Sequence, residues 1–478
     1  MSEYHCFIGL ELHAQLLTKT KMFCSCKNSF GEEANSLTCP VCLGLPGALP
    51  VVNKEAVVQA LKFALATSCR INKISYFDRK NYFYPDLPKG YQITQFNRPL
   101  ARSGFVAIGQ GKNIRLSEIH LEEDSARAVH NEDYVKKGLS YLDFNRAGIP
   151  LLEIVTKPDI KGAQDTVKFL RNIIKILQYL KISNGKLQDG SLRCDINISV
   201  AKAAEKLPHW KIEIKNLNSL NAIKKAIICE KERLISLIDK GEKLVEETRM
   251  WNQDCRCTKL LRKKEKHFDY RYFPDPDLPN LNFDDKFLNN IKKEIPELPQ
   301  QKKTRFQEEY NLASNLADIL TKKIEIADFY EKSLEFYRNP ILTARVITGE
   351  FFAYLNRINK ELDQMDFNAS YLAEIVELLD KDKINYNIVK KIFNYLKENM
   401  QSPKIIVKEN NWIIINDKEK LKKLIVEIIN SNPDAIKKYK EGDDRLIDFF
   451  IGQVMRRTKG RAEGEMVKKI LLQQLEEV

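Results

Sequence analysis

In three short runs of the first half of the chain, apolar and polar residues alternate with a period of two. In Ile8-Gly9-Leu10-Glu11-Leu12-His13-Ala14, alternation places Ile8, Leu10, Leu12 and Ala14 on one face and Gly9, Glu11 and His13 on the other. Arg193 to Val200 divides into Arg193, Asp195, Asn197 and Ser199 against Cys194, Ile196, Ile198 and Val200. Lys211 to Lys215 repeats the pattern and pairs Glu213 with Lys215. Such runs predict antiparallel strands with one face on a core and one face wet. Any half-exposed strand alternates in this way. What distinguishes these is that their wet faces carry Asp, Glu, Asn and His rather than mostly lysine. Ile119 to Asp124 adds three acids, and Pro150 to Val155 sets Glu153 inside an otherwise apolar strand. A carboxylate there is costly to bury without a partner.

The texture changes near residue 296. Glycine is absent between Asn280 and Gly349, and runs such as Tyr371 to Leu379 have helical spacing. Ile295-Pro296-Glu297-Leu298-Pro299 reads as a linker. A second break falls at Ser402-Pro403, followed by expected extended runs at Ile405–Val407 and Trp412–Ile415. The expected architecture is α+β: a large antiparallel-sheet cradle over residues 1–294, a helical domain over 295–404, and a small, mainly helical tail over 405–478. No internal repeat or low-complexity tract interrupts it.

Composition narrows the class. With 43% hydrophobic and 30% charged residues, the 478-residue chain is an ordinary globular sequence rather than a disordered or fibrous one. Its excess of 78 Lys+Arg over 65 Asp+Glu, net +13, favours a polyanionic partner. The charge-free window Ala34–Asn53 contains Pro40, Pro46 and Pro50 and cannot be a continuous membrane helix. Met1 to Cys6 shows no basic-then-apolar leader, so a reducing cytoplasm is expected. In that setting Cys24-x-Cys26 and Cys39-x-x-Cys42 read as a tetrahedral zinc site rather than as disulfides. Cys255-x-Cys257 is a separate pair in a polar loop, and Cys6, Cys69, Cys194 and Cys229 read as single buried residues.

Carboxylates converging on one wet face suit a hard cation such as Mg²⁺, and Mg²⁺ points to phosphate. The chain has neither a P-loop nor a dinucleotide-binding glycine fingerprint. A candidate cradle is Asp78 to Gln92, where Arg79, Lys80 and Lys89 interleave with Tyr82, Phe83, Tyr84 and Tyr91; a tyrosine-rich loop packed on the sheet is the alternative. No G-x-S-x-G elbow marks a hydrolase. Residues 401–478 carry 16 basic and 13 acidic side chains, so the case for a phosphate-binding tail rests on the cluster Arg456, Arg457, Lys459 and Arg461.

These segments resemble the B subunits of the aspartyl/glutamyl-tRNA amidotransferases, and the resemblance spans essentially the whole chain. It is carried by Ile8 to His13, Pro40 to Pro50, Arg79 to Gln92, His120 to Asp124 and Asp143-Phe144-Asn145-Arg146-Ala147-Gly148. Gly190 to Asp195, Glu213 to Ser219, Asp269-Tyr270-Arg271-Tyr272-Phe273-Pro274 and Gly452 to Gly460 continue it. The archaeal relative acting on glutamyl-tRNA carries a large inserted domain for which this chain has little room. Gln188-Asp189 stands where the family usually has two glutamates before a glycine.

The resemblance implies a carbon–nitrogen ligase subunit. ATP phosphorylates the side-chain carboxylate of glutamate or aspartate misattached to tRNA(Gln) or tRNA(Asn), and ammonia displaces the phosphate. The ammonia comes from a glutaminase A subunit, and a small C subunit clamps the pair. By the same resemblance, Glu11, His13, Glu123 and Glu153 hold or surround Mg²⁺, with Glu122 an alternative to Glu123. Lys80, Tyr82 and Lys89 meet ATP; Asp195, Glu213 and Lys215 line the cavity. Cys24, Cys26, Cys39 and Cys42 bind structural zinc, and Arg456, Arg457, Lys459 and Arg461 contact tRNA. The competing reading is a zinc-containing tRNA-binding scaffold without catalysis, which leaves Glu153 and the acidic face unexplained.

Overall fold

The structure is a computed structural model that describes residues 4–129, 139–202, 205, 207–263, 269–365, 367–397, 400–415, 417–440 and 445–476. It divides into two compact units, Met1–Leu298 and Pro299–Val478.

The elements of the first unit that build the site are, in chain order, β1 (Tyr4–Gln15), α1 (Lys54–Ala66), β2 (Asp78–Asn81), β3 (Tyr91–Thr94), β4 (Lys112–Glu123), β5 (Pro150–Thr156), α2 (Ala163–Tyr179), β6 (Leu192–Lys202), β7 (Ile212–Lys215), α3 (Leu220–Asp239), β8 (Glu247–Asn252) and β9 (Cys257–Lys263). A ten-stranded sheet runs β9-β8-β7-β6-β1-β5-β4 and continues through two short strands, Ala101–Arg102 and Arg70–Ile71; Phe105–Gly109 also pairs with β4. Every pairing is antiparallel except β7 with β8. A parallel pair needs a long crossover, and α3 supplies it. That helix begins at Ser219, whose hydroxyl accepts the Ala222 N–H at 3.1 Å and satisfies one of the orphan donors of the first turn.

The period-two pattern has its expected consequence. Ile8, Leu10 and Leu12 of β1, Ile196 and Ile198 of β6, and Ile212 and Ile214 of β7 are all but inaccessible and belong to one core. Phe169, Leu170, Ile173 and Leu177 of α2 and Ala222, Ile223, Ala226 and Ile227 of α3 join them. Each large side chain there contributes about 1.5–3 kcal/mol of burial. The core therefore fixes which face of each strand is left for Glu11, His13, Glu153, Asp195, Glu213 and Lys215, all half-buried. β2 and β3 form a separate three-stranded sheet with Phe273–Pro274.

The described part of the second unit contains helices and no strand. Its buried residues form two clusters, one from Phe306 to Val407 and one from Leu421 to Leu475. The expected extended runs near 405 and 412 are absent. Ile405–Val407 lies inside the helix Pro403–Glu409, with Pro403 in its first turn, where a missing N–H costs nothing. Ile406 and Val407 are buried while Lys404, Ile405 and Lys408 are exposed, so packing along one helical stripe overrides the β-branched preference of the run. Trp412–Ile415 forms no strand; Trp412 packs edge-on to Tyr395, with ring centroids 6.4 Å apart.

Candidate active site and metal centres

Strand register decides which polar residues meet. His13 lies opposite Glu153 on one side and Arg193 on the other, Glu11 lies opposite Val155 and Asp195, and His120 lies opposite Glu153. One donor atom each from Glu11, His13 and Glu153 lies within 4.8 Å of the other two. His13 Nε2 is 3.9 Å from Glu11 Oε1 and 3.4 Å from Glu122 Oε1. The Thr94 hydroxyl donates to Glu122 Oε2 at 3.3 Å.

The electrostatics of this cluster are those of too many acids in too little water. Burial first, then Glu153, pushes Glu122 up to about 8. Burial first, then Glu11, pushes Glu153 up to about 8. Glu11 is raised by burial and by Asp195. Lys80 opposes the rise at all three. Burial, helped by Arg193, pushes His13 down to about 3, leaving a neutral imidazole with a free lone pair. Nε2 of buried His120 lies 3.6 Å from Glu118 Oε1. Two carboxylates and a neutral imidazole, with further uncompensated acid beside them, fit a divalent cation. Imidazole is an uncommon partner for Mg²⁺, and His13 serves equally well as acceptor for a metal-bound water.

The other expected site residues separate into groups. Glu123 is not beside His13: it projects from the opposite parity of β4, where the Lys89 ammonium contacts its carboxylate and the Ile93 N–H donates to it at 3.0 Å. The acid that joins the cluster is Glu122. Lys80 lies 4.9 Å above the ring of Tyr270 and 5.8 Å from that of Tyr82. Asp195, Glu213 and Lys215 form one network: the Lys215 ammonium bonds Asp195 and lies 3.1 Å from Glu213, which also accepts the Thr248 hydroxyl at 2.8 Å. Burial alone lowers Lys215, but its two carboxylates more than offset this and the net shift is upward. Three features had no role from sequence. Arg193 pairs with buried Asp124 at 2.7 Å, His120 extends the polar row, and Tyr272 stacks on Phe96 with centroids 4.0 Å apart. His120 and Arg193 each carried a signal, sharing parity with Glu122 on β4 and with Asp195 on β6.

The four cysteines of the two pairs come together, their sulfurs all within 4.8 Å. Cys39 and Cys42 Sγ are 3.8 Å apart, the edge of a tetrahedron whose metal–sulfur bonds are about 2.3 Å, as for zinc. A hydrogen bond from Cys24 first, and Lys21 nearby, push the Cys42 thiol down to about 5. Lys21 is wholly buried; its ammonium donates to the carbonyls of Leu37 (2.8 Å) and Phe144 (3.3 Å) and lies 3.7 Å from Cys42 Sγ. It counters the thiolate charge and ties the cysteine loop to the segment before β5. The donor set fits zinc. In the tail, Arg456, Arg457 and Lys459 are exposed. Arg461 is half-buried and committed to the carbonyls of Thr458 and Asn411, both at 3.1 Å.

Two family models match the chain: the GatB/GatE catalytic domain over residues 6–289 and the GatB domain over residues 328–475. Full-length relatives match as well. The B subunit of the aspartyl/glutamyl-tRNA(Asn/Gln) amidotransferase of Carboxydothermus hydrogenoformans is 42% identical over 99% of each chain. The chain belongs to this family. The corresponding subunits of Thermodesulfovibrio yellowstonii and Persephonella marina are each 41% identical, over 99% and 98% of this chain and 100% and 99% of theirs. The catalytic-domain match takes in the acidic face and the cysteine cluster. The second match covers most of the helical unit, including Arg456 to Arg461. No helix among the described residues is long and apolar enough to cross a membrane.

Proposed function

We propose that this B subunit, as part of a glutamine-dependent carbon–nitrogen ligase, activates and amidates the side chain of glutamate or aspartate misattached to tRNA(Gln) or tRNA(Asn). The observation that carries the reading is the cluster of Glu11, His13 and Glu153 with Glu122 beside it, on the wet face of the sheet and within the field of Lys80. A non-catalytic scaffold has no use for buried, mutually repelling acids.

A carboxylate is a poor acyl donor because oxide is its leaving group. Transfer of the γ-phosphoryl of ATP to a carboxylate oxygen replaces oxide with phosphate, which ammonia then displaces as the amide forms. Phosphoryl transfer needs little from the protein beyond positioning and charge neutralisation. Mg²⁺, when bound, neutralises phosphate charge and aligns the reacting oxygens; Glu11, Glu153 and His13 would hold it, with Glu122 beside them. Lys80 meets the phosphates from the wet side, and Tyr82 and Tyr270 confine its ammonium. Lys89 acts from behind, holding Glu123 and thereby the β3–β4 junction. Asp195, Glu213 and Lys215 form a charged lining that orients the substrate carboxylate or the entering ammonia. The cysteine cluster holds structural zinc. Arg456, Arg457 and Lys459 contact the tRNA backbone; Arg461 shapes the turn that presents them. The work takes place in the cytoplasm beside the glutaminase A subunit and the small C subunit.

The test assembles the chain with its A and C subunits and supplies ATP, Mg²⁺, ammonium chloride and misacylated glutamyl-tRNA, so that glutamine hydrolysis is bypassed. Wild type is expected to form glutaminyl-tRNA with consumption of ATP, and Glu153→Gln to bind tRNA but do neither. Equal turnover by the two proteins, with glutamyl- and aspartyl-tRNA alike, would remove the acidic face from the reaction.

A further inference from the structure

The turn between β8 and β9 holds Cys255 and Cys257, which neither the acidic face nor the tetrahedral cysteine cluster uses. Their sulfurs are 2.7 Å apart, inside the contact distance of two non-bonded sulfurs. Asn252 shapes the turn: its side-chain Oδ1 accepts the Cys255 N–H at 3.0 Å and the Cys255 thiol at 3.1 Å. Arg256 between them adopts a left-handed conformation, with φ of 50°. Cys255 is exposed and Cys257 half-buried.

From this juxtaposition we infer that Cys255 and Cys257 are a reversible dithiol–disulfide site, oxidised by small-molecule disulfides of the glutathione type. The reaction runs in two exchanges. The Cys255 thiolate attacks one sulfur of the oxidant, forming a mixed disulfide and releasing one thiolate. The Cys257 sulfur then attacks Cys255 Sγ, closing the protein disulfide and releasing the second. The two protein thiols lose two protons and two electrons, and one disulfide oxidant becomes two thiols. Cys255 is the better first nucleophile: a hydrogen bond from Cys257 holds its thiol below the ordinary value, Lys259 adds in the same direction, and Cys257 is raised in return. The second exchange is fast because the attacking sulfur is already at contact distance. Oxidation links Cys255 to Cys257 across Arg256, within the turn between β8 and β9 at the outer edge of the sheet, whose inner strands carry the acidic face.

The experiment equilibrates the full chain, zinc-loaded, in glutathione buffers of graded oxidised-to-reduced ratio. It then traps free thiols by alkylation and maps the peptide containing both residues by mass. The expected result is a peptide that passes from doubly alkylated to unalkylated and two hydrogens lighter, returning with dithiothreitol. Cys257→Ser should instead stop at a stable glutathione adduct on Cys255. The inference fails if both thiols stay alkylatable under fully oxidising buffer. It also fails if wild type accumulates the open adduct, or if oxidation links two chains rather than closing the turn.

Discussion

The acids around His13 make a quantitative demand on pH. Glu122 and Glu153 both lie near 8 against an ordinary value of 4.5. Burial and the neighbouring acids therefore hold protons on this cluster near neutral pH, and a bound cation must expel them. Between pH 6 and 8 the affinity for Mg²⁺ is expected to rise about tenfold per pH unit for each proton released, up to two, and to level off above 8. Calorimetric titration of Mg²⁺ at pH 7 in two buffers of different ionisation enthalpy counts the protons directly. The same shifts bear on stability. An acid raised on folding costs nothing below its ordinary value and costs most above its folded one, so the metal-free fold weakens as pH climbs from about 4.5 to 8. The cost belongs to the coupled acids together, since part of the rise at Glu122 is the charge of Glu153, and is on the order of a few kcal/mol. Glu153→Gln removes one of the two charges. It is expected to raise the stability of the metal-free protein more at pH 8.5 than at pH 5.5, by at least about 1 kcal/mol between the two, and to abolish tight Mg²⁺ binding. Denaturant titrations at the two pH values read this out. A Mg²⁺ affinity flat from pH 6 to 8 with no proton release, or a Glu153→Gln protein weaker at pH 8.5 than wild type, refutes the account.

Other outcomes follow from separate parts of the molecule. Lys89→Met leaves Glu123 buried with a backbone N–H as its one remaining contact of note, and should cost about 3–5 kcal/mol in denaturant unfolding; adding Glu123→Gln should recover most of it. With zinc in the cysteine cluster, Cys42→Ser should lower the zinc content and depress the melting temperature, and chelation should do the same to wild type but not to the variant. Reversing charge at Arg456, Arg457 and Lys459 together should weaken tRNA binding and flatten its salt dependence by up to about three in log–log slope. Arg461→Ala, whose side chain already bonds two carbonyls, should change stability more than salt slope.

The acidic face was legible because strand periodicity is a strictly local property. Glu11 and His13 share parity on one strand, Asp195 on another and Glu213 and Lys215 on a third, and burial of the intervening isoleucines and leucines turns them all outward. What periodicity does not contain is which strands are neighbours. That β1 lies between β5 and β6, placing Glu153 and Arg193 on either side of His13, is a matter of pairing across more than a hundred residues. The Asp124–Arg193 pair and the Phe96–Tyr272 stack were invisible for the same reason. The parallel pairing of β7 with β8 was likewise hidden, since a run as short as Ile212–Lys215 looks the same in either orientation. In the helical unit, Ile405–Val407 misled because three β-branched residues in a row outweigh, in a short window, the helix-starting signal of Ser402-Pro403.

Glu122 and Glu123 show where local and tertiary information trade places. With Ile119 and Leu121 buried, parity alone would send Glu123 toward the core, an expensive place for a carboxylate. From the sequence, the family resemblance puts Glu123 forward with Glu122 as its alternative, and alternation does not choose between them. The cost of burying Glu123 is met by Lys89 and the Ile93 N–H, both delivered by β3 and the loop before it. The aromatic-basic segment Asp78–Gln92 therefore does two jobs on opposite sides of one strand. Lys80 works on the wet side, where it opposes the charge of Glu11, Glu122 and Glu153. Lys89 works on the buried side, where it holds the strand end that presents Glu122. A charge-removing change at either lysine should reduce activity, but by separable routes. Lys80→Met should lower turnover with the melting temperature kept, and Lys89→Met should lower both, with turnover recovering alongside stability in the Lys89→Met/Glu123→Gln double variant. If Lys80→Met destabilises the fold as much as Lys89→Met does, the division of labour between the two lysines is wrong.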